Sequence, residues 1–432
     1  MTGHSNKGSV FTRAKPISKL VAALIVAALA MLIAPVADSA VAAIKDARGA
    51  KRPKLKHEAP PRPAPGGGLQ FGAALQDLDA AEAAAFEAGR EEFESAETPE
   101  GGLGPIFNGV SCVACHSARA TGGAGTATVT RFGRLTQGKF DPLTHLGGSL
   151  LQQFATDPGL VERIPSEANV VARRLTTPLF GAGLIEAIPD SAILQNAALR
   201  QPDGIAGRAA TILDIVSGKE RVGRFGWKAQ HASLLSFAAD AYLNEMGVTN
   251  RFFPLENVPN GSAVPVGRFD KLPDPEDVVD PATGRGDVDA LADYMRLLAP
   301  PPQLRQSPAA AAGGRLFVQM NCAACHTPFM FTGASPIAAL AHKPVPLFSD
   351  LLLHDMGTLG DGIEQGAAKA REMKTPPLWG LRARGPFLHD GRAATIGDAI
   401  RSHDGEGAAA RDRYLRLSPE EQQFVVDFLN SI

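Results

Sequence analysis

Cys112-Val113-Ala114-Cys115-His116 and Cys322-Ala323-Ala324-Cys325-His326 constrain this chain more than any other feature. In a C-x-x-C-H pentapeptide the two thiols can be alkylated by the two vinyl groups of one haem. The histidine that follows is then carried under the iron. The chain has 4 cysteines, and the two pentapeptides use all of them. One copy alone would also suit a redox dithiol or half of a zinc site. A zinc site of four thiolates, however, usually repeats C-x-x-C without the two histidines. Two copies, each closed by His and with no cysteine left over, read as two covalent c-type haems. His116 and His326 are their proximal ligands.

The 432 residues exceed one average domain. Hydrophobic residues make up 44%, enough for sizeable cores, whereas aromatics are only 6% and the 45 Gly and 33 Pro promise much loop. Loop-rich folds gain stability when wrapped around a large rigid cofactor. The N-terminus has the layout of an export signal. Lys7, Arg13, Lys15 and Lys19 precede an apolar run from Leu20 to Ile33, Pro35 breaks it, and Ala40-Val41-Ala42 offers a small-x-small cleavage site. The run is short for a bilayer span of roughly 20 residues, so residues 1–42 read as a cleaved signal peptide. A membrane anchor follows only if that segment is uncleaved. Cleavage removes four basic residues and one acid and takes the formal charge from −2 to −5. Such a balance carries no basic footprint for nucleic acid. Export agrees with the cysteines, because c-type haem is attached outside the cytoplasm in bacteria. The expected location is the periplasm.

Residues 43–68 are basic and then rich in Pro and Gly, a linker composition; His57 falls there with no role. From Asp79 to Ser95 an Ala- and Glu-rich segment sets Phe86 and Phe93 seven apart on one helical face. It leads through GGLGPIFNG into the first C-x-x-C-H, the way a cytochrome c domain begins. Ser307-Pro308 opens the matching helix, with Leu316 and Phe317, before Cys322. Each half also has a closing helix, Asp287 to Leu298 and the segment after Ser418-Pro419-Glu420-Glu421. The latter is a capping box with Pro at the first helical position, and its helix is expected to bury Phe424 and Phe428. The expected fold is mostly α. Two cytochrome c-like domains, 69–300 and 301–432, each surround one covalent haem c with long loops. The stretch between His116 and Asp287 reads as an enlarged loop region with helical pieces such as Ala232 to Asn244. Thr177-Pro178-Leu179-Phe180-Gly181 is answered by Thr375-Pro376-Pro377-Leu378-Trp379-Gly380, and VGRFGWKA (222–229) by GPFLHDGRA (385–393), which marks an internal duplication.

GLGPIFNGVSCVACH, GAGLIEAIPD, GRFGWKA, FSDLLLHDMG, TPPLWG and FLHDGRA together resemble the di-haem oxidoreductase family often labelled thiol oxidoreductases. That family lies within the bacterial di-haem cytochrome c peroxidase and MauG superfamily. The resemblance runs from about residue 69 to the C-terminus, and FSDLLLHDMG and FLHDGRA are its most specific stretches. The "thiol" of that label has no support here, because no cysteine remains free.

The resemblance implies roles for further residues. A strong sixth ligand makes an iron an electron carrier, and an open face lets it meet peroxide or dioxygen. In the peroxidases the distal ligand of the second haem follows the HDG histidine across a short helix. Here His403 follows His389 by fourteen residues, and Ala394 to Ser402 can form that helix. Met356 is the rival ligand, core packing being its plainer role, and a second iron held by neither is the third alternative. The first haem is expected to have an open or weakly closed distal face. By resemblance Trp227 is the electron relay and Glu245, in Glu245-Met246, is the acid–base group that moves a proton between peroxide oxygens. Ordinary core packing for Trp227 and a solvated helix end for Glu245 are the alternatives. His145 is a removable ligand of the first iron by the same resemblance, a surface loop histidine otherwise. His389 is expected to anchor the haem propionates with Arg392, while His231, His342 and His354 make ordinary hydrogen bonds. Calcium lies between the haems of the related peroxidases. Gln201-Pro202-Asp203-Gly204 offers few oxygen ligands for it, so calcium is unsupported here.

The reading that follows is a periplasmic oxidoreductase that reduces hydrogen peroxide with electrons from a small redox protein, a cytochrome c or a cupredoxin. Two alternatives stand beside it. One is a non-enzymatic relay with both irons six-coordinate. The other is MauG-like or dioxygenase-like oxidation of another substrate.

Overall fold

A capped helix leads into each C-x-x-C-H, and a second helix packs across it from far along the chain. In this computed structural model, which describes residues 70–99, 101–262 and 279–432, the first of these helices is Ala80–Glu94. Asp79 caps it in a capping box with Glu82, satisfying two backbone N–H groups that would otherwise lack partners. Its counterpart Pro308–Gln319 is capped by Ser307, with Pro at its first position. Asp287–Leu297 packs on the first and Pro419–Ser431 on the second. Both crossings depend on a glycine. A Cβ at Gly89 would lie 2.2 Å from the Ala290 carbonyl oxygen, and one at Gly313 would lie 1.8 Å from that of Phe424. Backbone therefore meets backbone in each pair, and aromatic rings close the gap on either side. Tyr294 packs on Phe86 and Phe93 with centroids 5.2 and 4.9 Å apart, and Phe317 packs on Phe428 at 5.4 Å. The duplication read from sequence is thus repeated in packing. The last helix buries Val425, Phe428 and Leu429; Phe424 is only partly buried, because its backbone is what faces Gly313.

The region between His116 and Asp287 departs from expectation. It was expected to be loop and helix, yet Thr128–Thr136 is a nine-residue strand. It pairs antiparallel with Val170–Leu175, and also with Lys139–Asp141 and Leu150–Leu151. Thr128 is opposite Leu175 and Gly133 opposite Val170. A second hairpin joins Ala210–Asp214 to Lys219–Gly223. Helix accounts for 33% of the structure and strand for 16%, so mostly α is too narrow a description. The physical reason lies in TVTRFGRLT and VVARRL, whose β-branched residues suit a pleated, half-buried surface. Phe132 is fully buried under it. The helix expected over Ala232 to Asn244 is present as Leu234–Ala241 and runs on into a π-helical turn, Tyr242–Met246.

Gly67–Ile432 forms one compact unit. Within it, one apolar cluster extends from Phe86 through Tyr242 and Met295 to Leu352 and Trp379, and so draws on chain from both sides of residue 300. A smaller cluster of Phe317, Ile396, Tyr414, Val425 and Phe428 belongs to the C-terminal part. The expected signal segment and linker, including His57, lie outside the described residues. Among the described residues no helix is long and apolar enough to cross a membrane.

Candidate functional site

Both pentapeptides fold as the same tight turn. The backbone N–H of His116 donates to the Cys112 carbonyl at 3.0 Å, and that of His326 to Cys322 at 2.9 Å. Each turn gathers two unbridged thiols and one imidazole. Burial pushes the Cys112 and Cys322 thiols up to about 12 and both histidines down to about 4, so the imidazoles are neutral. Each neutral ring is oriented by a carbonyl: His116 Nδ1 lies 3.2 Å from Gly123 O and His326 Nδ1 3.0 Å from Phe348 O. A carbonyl only accepts, so Nδ1 carries the proton and Nε2 keeps its lone pair for a metal.

The second turn opens on a cleft lined by Cys322, Cys325, His326, Met356, His389 and His403 among others. Thr395 caps the short helix Ile396–Arg401, and His403 follows its C-terminus. His403 Nδ1 lies 2.9 Å from Ala399 O, the same carbonyl orientation again. Its ring centroid is 6.4 Å from that of His326. Two imidazoles that share one metal ion, each nitrogen about 2 Å from it, have centroids about 6 Å apart. Met356 lines the same cleft.

Among the described residues, two cations in the wall form no ion pair, although the charge of Asp350 reaches Lys374. Lys374 is 7% exposed, and its ammonium has only a 3.4 Å contact to the Thr375 carbonyl. Arg384 Nε is buried with no partner. Burial pushes Lys374 down to about 8 and Arg384 to about 10. Cations left in this way need an anionic guest. An apolar cleft holding two thiols, two oriented imidazoles and two orphaned cations fits a haem with its two carboxylates. Arg392, expected to hold those carboxylates, is exposed and pairs instead with Asp390 at 2.6 Å. An arginine two residues after an Asp finds that local partner first. His389 does line the cleft and is buried.

Trp227 forms part of the same wall. Its ring is edge-on to His389, centroids 6.2 Å apart, and its indole N–H donates to Leu175 O at 2.9 Å. Leu175 ends the strand that leads to Thr177, whose backbone lies against His116. Trp227 therefore borders the second cleft while hydrogen-bonded to chain that continues to the first histidine.

At the first turn, Glu245 sits in the π-helical segment, a local deformation frequent at functional sites. Its carbonyl accepts from the backbone N–H of Asn108 at 2.7 Å and of Gly109 at 3.0 Å, just before the first pentapeptide. Burial pushes the Glu245 carboxyl up, while nearby Arg131 pulls it down. Among the described residues Arg131 Nε is buried without a partner, and the Asn108 amide lies against the Glu245 carboxyl and also holds it down. A carboxyl, a guanidinium and an amide therefore stand together beside Cys115, whose thiol burial and Glu245 both push up. His145 is exposed on the turn Thr144–Leu146.

His354 does more than was expected of it. Its Nε2 lies 2.9 Å from Asp350 Oδ2, its Nδ1 2.7 Å from Glu406 Oε2, and Cys325 Sγ is 3.6 Å away. Two carboxylates on opposite nitrogens require both to carry protons, so His354 is an imidazolium. His231 hydrogen-bonds Ser236, and His342 is exposed. Asp203, the acid in the segment considered for calcium, gives both oxygens to Arg413 at 2.6 Å. Lys374, Arg384, Arg131 and the partners of His354 carried no sequence signal beyond residue type.

A family model described as "Di-haem oxidoreductase, putative peroxidase" matches residues 156–432. No curated protein matches the chain. Among solved structures, the diheme peroxidase BthA from Burkholderia thailandensis is 14% identical, with 82% of this chain and 86% of that one covered and a TM-score of 0.38. A MauG-like protein associated with microbial copper homeostasis is 14% identical over 88% and 95%, TM-score 0.38. Hydrazine synthase of Kuenenia stuttgartiensis is 16% identical over 88% and 100%, TM-score 0.34. The family match takes in well over half of the sequence, including the second C-x-x-C-H, Trp227, Glu245 and the cleft around His326, and the chain belongs to the di-haem oxidoreductases.

Proposed function

We propose that the protein is a periplasmic c-type di-haem oxidoreductase that reduces hydrogen peroxide to water with electrons from a small redox protein. Cys112 and Cys115 hold one haem and Cys322 and Cys325 the other, with His116 and His326 as proximal ligands. When bound, the haems supply the one-electron chemistry and the centre at which the O–O bond is cleaved. The chain's own residues orient, insulate and move protons.

The observation that carries this reading is the unlikeness of the two sites. His326 is faced at 6.4 Å by His403, a second imidazole already oriented by a carbonyl. That supports a closed second site suited to receiving electrons, with Met356 as the alternative ligand. Beside the first turn, Glu245 and Asn108 stand together with Arg131, whose Nε has hydrogen-bonding capacity to spare. Glu245 takes a proton from one peroxide oxygen and returns it to the other, a role that burial favours by raising its pKa. Arg131 balances the negative charge that grows on the departing oxygen. Trp227 carries electrons from the second site to the first. The sum is one hydrogen peroxide, two electrons and two protons giving two waters.

Ferric-state EPR of the haem-loaded protein, together with peroxide consumption using reduced cytochrome c, tests the reading. One low-spin and one high-spin signal with steady turnover are expected. Two low-spin signals without turnover in either starting redox state would leave an electron relay in its place. Recovery of the haem-loaded protein from the cytoplasmic rather than the periplasmic fraction would overturn the location.

A further inference from the structure

Lys228 follows Trp227 directly and is wholly buried. Its ammonium meets Asp361 Oδ1 at 2.9 Å. It also donates to the carbonyl oxygens of Lys369 at 3.1 Å, Ala370 at 3.2 Å and Glu372 at 2.6 Å. An isolated ammonium is costly to bury, and these four oxygens are what offsets that cost. Carbonyls plus one carboxylate around a single positive charge are the donor set of a hard-cation site. Most of these contacts are longer than the roughly 2.3–2.6 Å that calcium takes, and they suit an ammonium or an ion of similar size.

The same contacts fix Trp227. The other oxygen of Asp361 accepts from Arg174 Nε at 2.8 Å, and Arg174 also donates to Gln365. Asp361 therefore ties the residue after Trp227 to the residue before Leu175. Leu175 is the partner of the indole N–H, and its own N–H donates to the His389 carbonyl at 2.6 Å. Lys374 N–H holds the Trp227 carbonyl at 3.0 Å. The indole is clamped at its ring and its carbonyl, and the cage closes the clamp from behind.

We propose that the oxygens around Lys228 form a monovalent-cation cage whose occupant is the lysine's own ammonium, and that this tethered cation holds Trp227 in register between the two haem sites. The second part rests on the relay reading of Trp227; the first does not. Lys228 is thus a positioning residue. With its side chain cut back, the cage becomes a binding site for a small primary ammonium ion.

The test uses the full-length, haem-loaded protein. Lys228→Ala is expected to melt at lower temperature than wild type, and millimolar methylammonium is expected to restore at least half of the loss. Tetramethylammonium, too large for the cage, restores none, and the wild type responds to neither. An unresponsive Lys228→Ala overturns the cage. The second readout is electron transfer between the haems after rapid reduction of the second. Lys228→Ala slows it about tenfold or more, since small misplacements of a reacting group are costly, and methylammonium restores it. Trp227→Phe slows it to a similar degree without any rescue. A slow Trp227→Phe beside a fast Lys228→Ala overturns the positioning role and leaves the relay standing. A fast Trp227→Phe overturns the relay, and the melting data then judge the cage alone. Should Lys228→Ala not fold, the charge-balanced pair Lys228→Met with Asp361→Asn takes over the transfer measurement. Slowed transfer in that pair supports the positioning role, and the wild-type rate overturns it.

Discussion

The imidazoles of His326 and His403 face each other across the second cleft, centroids 6.4 Å apart and planes inclined by 59°. Each turns its Nδ1 toward a backbone carbonyl, Phe348 for one and Ala399 for the other, and so keeps Nε2 free. A pair prepared in this way is what a bis-imidazole metal site requires.

His403→Ala should therefore convert the second haem from low to high spin. Met356→Ala should leave its EPR signal where it was. The reverse pattern would transfer the ligand role to Met356, which lines the same cleft.

Glu245→Gln keeps the shape of the side chain and removes its proton chemistry. Peroxide turnover should fall about a hundredfold, in the range expected for loss of a general acid–base group. Haem content and spin state should stay at wild-type values in the same preparation. Turnover within a factor of a few of wild type would remove Glu245 from the mechanism.

Lys374 and Arg384 set positive charge in the wall of the second cleft and form no ion pair among the described residues. Such charge favours the reduced, less positive iron. Lys374→Met and Arg384→Met should each lower the potential of the second haem, by roughly tens of millivolts in a medium of intermediate dielectric. Arg392→Met removes an exposed residue already paired with Asp390 and should shift it far less. Redox titration of the three variants distinguishes the two placements.

His354 offers a pH test. Burial disfavours its imidazolium, but the hydrogen bonds to Asp350, Cys325 and Glu406 outweigh that and hold its pKa up to about 12. A histidine whose folded pKa exceeds its unfolded value of 6.5 contributes full stability below 6.5 and loses it as pH rises toward 12. His354→Gln should cost about 3 kcal/mol at pH 6, as for breaking a buried ion pair. The difference from wild type should shrink between pH 8 and pH 10. Denaturant midpoints at those three pH values check it, and a penalty that grows with pH would mean that the folded imidazole is neutral.

Gly89 and Gly313 stand at equivalent crossings, each with a backbone carbonyl where a Cβ would go. Gly313→Ala should destabilise the chain by about 1–3 kcal/mol through forced separation of its helix pair. Gly89→Ala should do the same in the first pair. A neutral result at both would show that the crossings relax freely.

Much of the scaffold was legible from residues close together in the chain. The capping box at Ser418, the Pro at position 308 and the Phe86–Phe93 spacing set their helices where expected, because each acts within a turn or two of chain. TVTRFGRLT shows no two-residue alternation, its large apolar residues Val129, Phe132 and Leu135 falling three apart, so it reads as loop until Val170–Leu175 arrives to pair with it. Lys374 and Arg384 went unread for a related reason. A sequence shows that a cation exists but not whether a neighbour such as Asp390 has already claimed it.

Sequence by itself determined the two C-x-x-C-H turns, the helices that frame them and the duplication, because thiol spacing, caps and helical periodicity act over short stretches of chain. Tertiary structure alone decided which charges are left unpaired and which are joined. Lys228, Asp361 and Arg174 come from three distant segments, and Lys374 and Arg384 line a cleft in which no described carboxylate forms an ion pair with them. Burial is what turns such groups into a site, since a charge hidden from water must find a partner, and the fold chooses which partners are within reach.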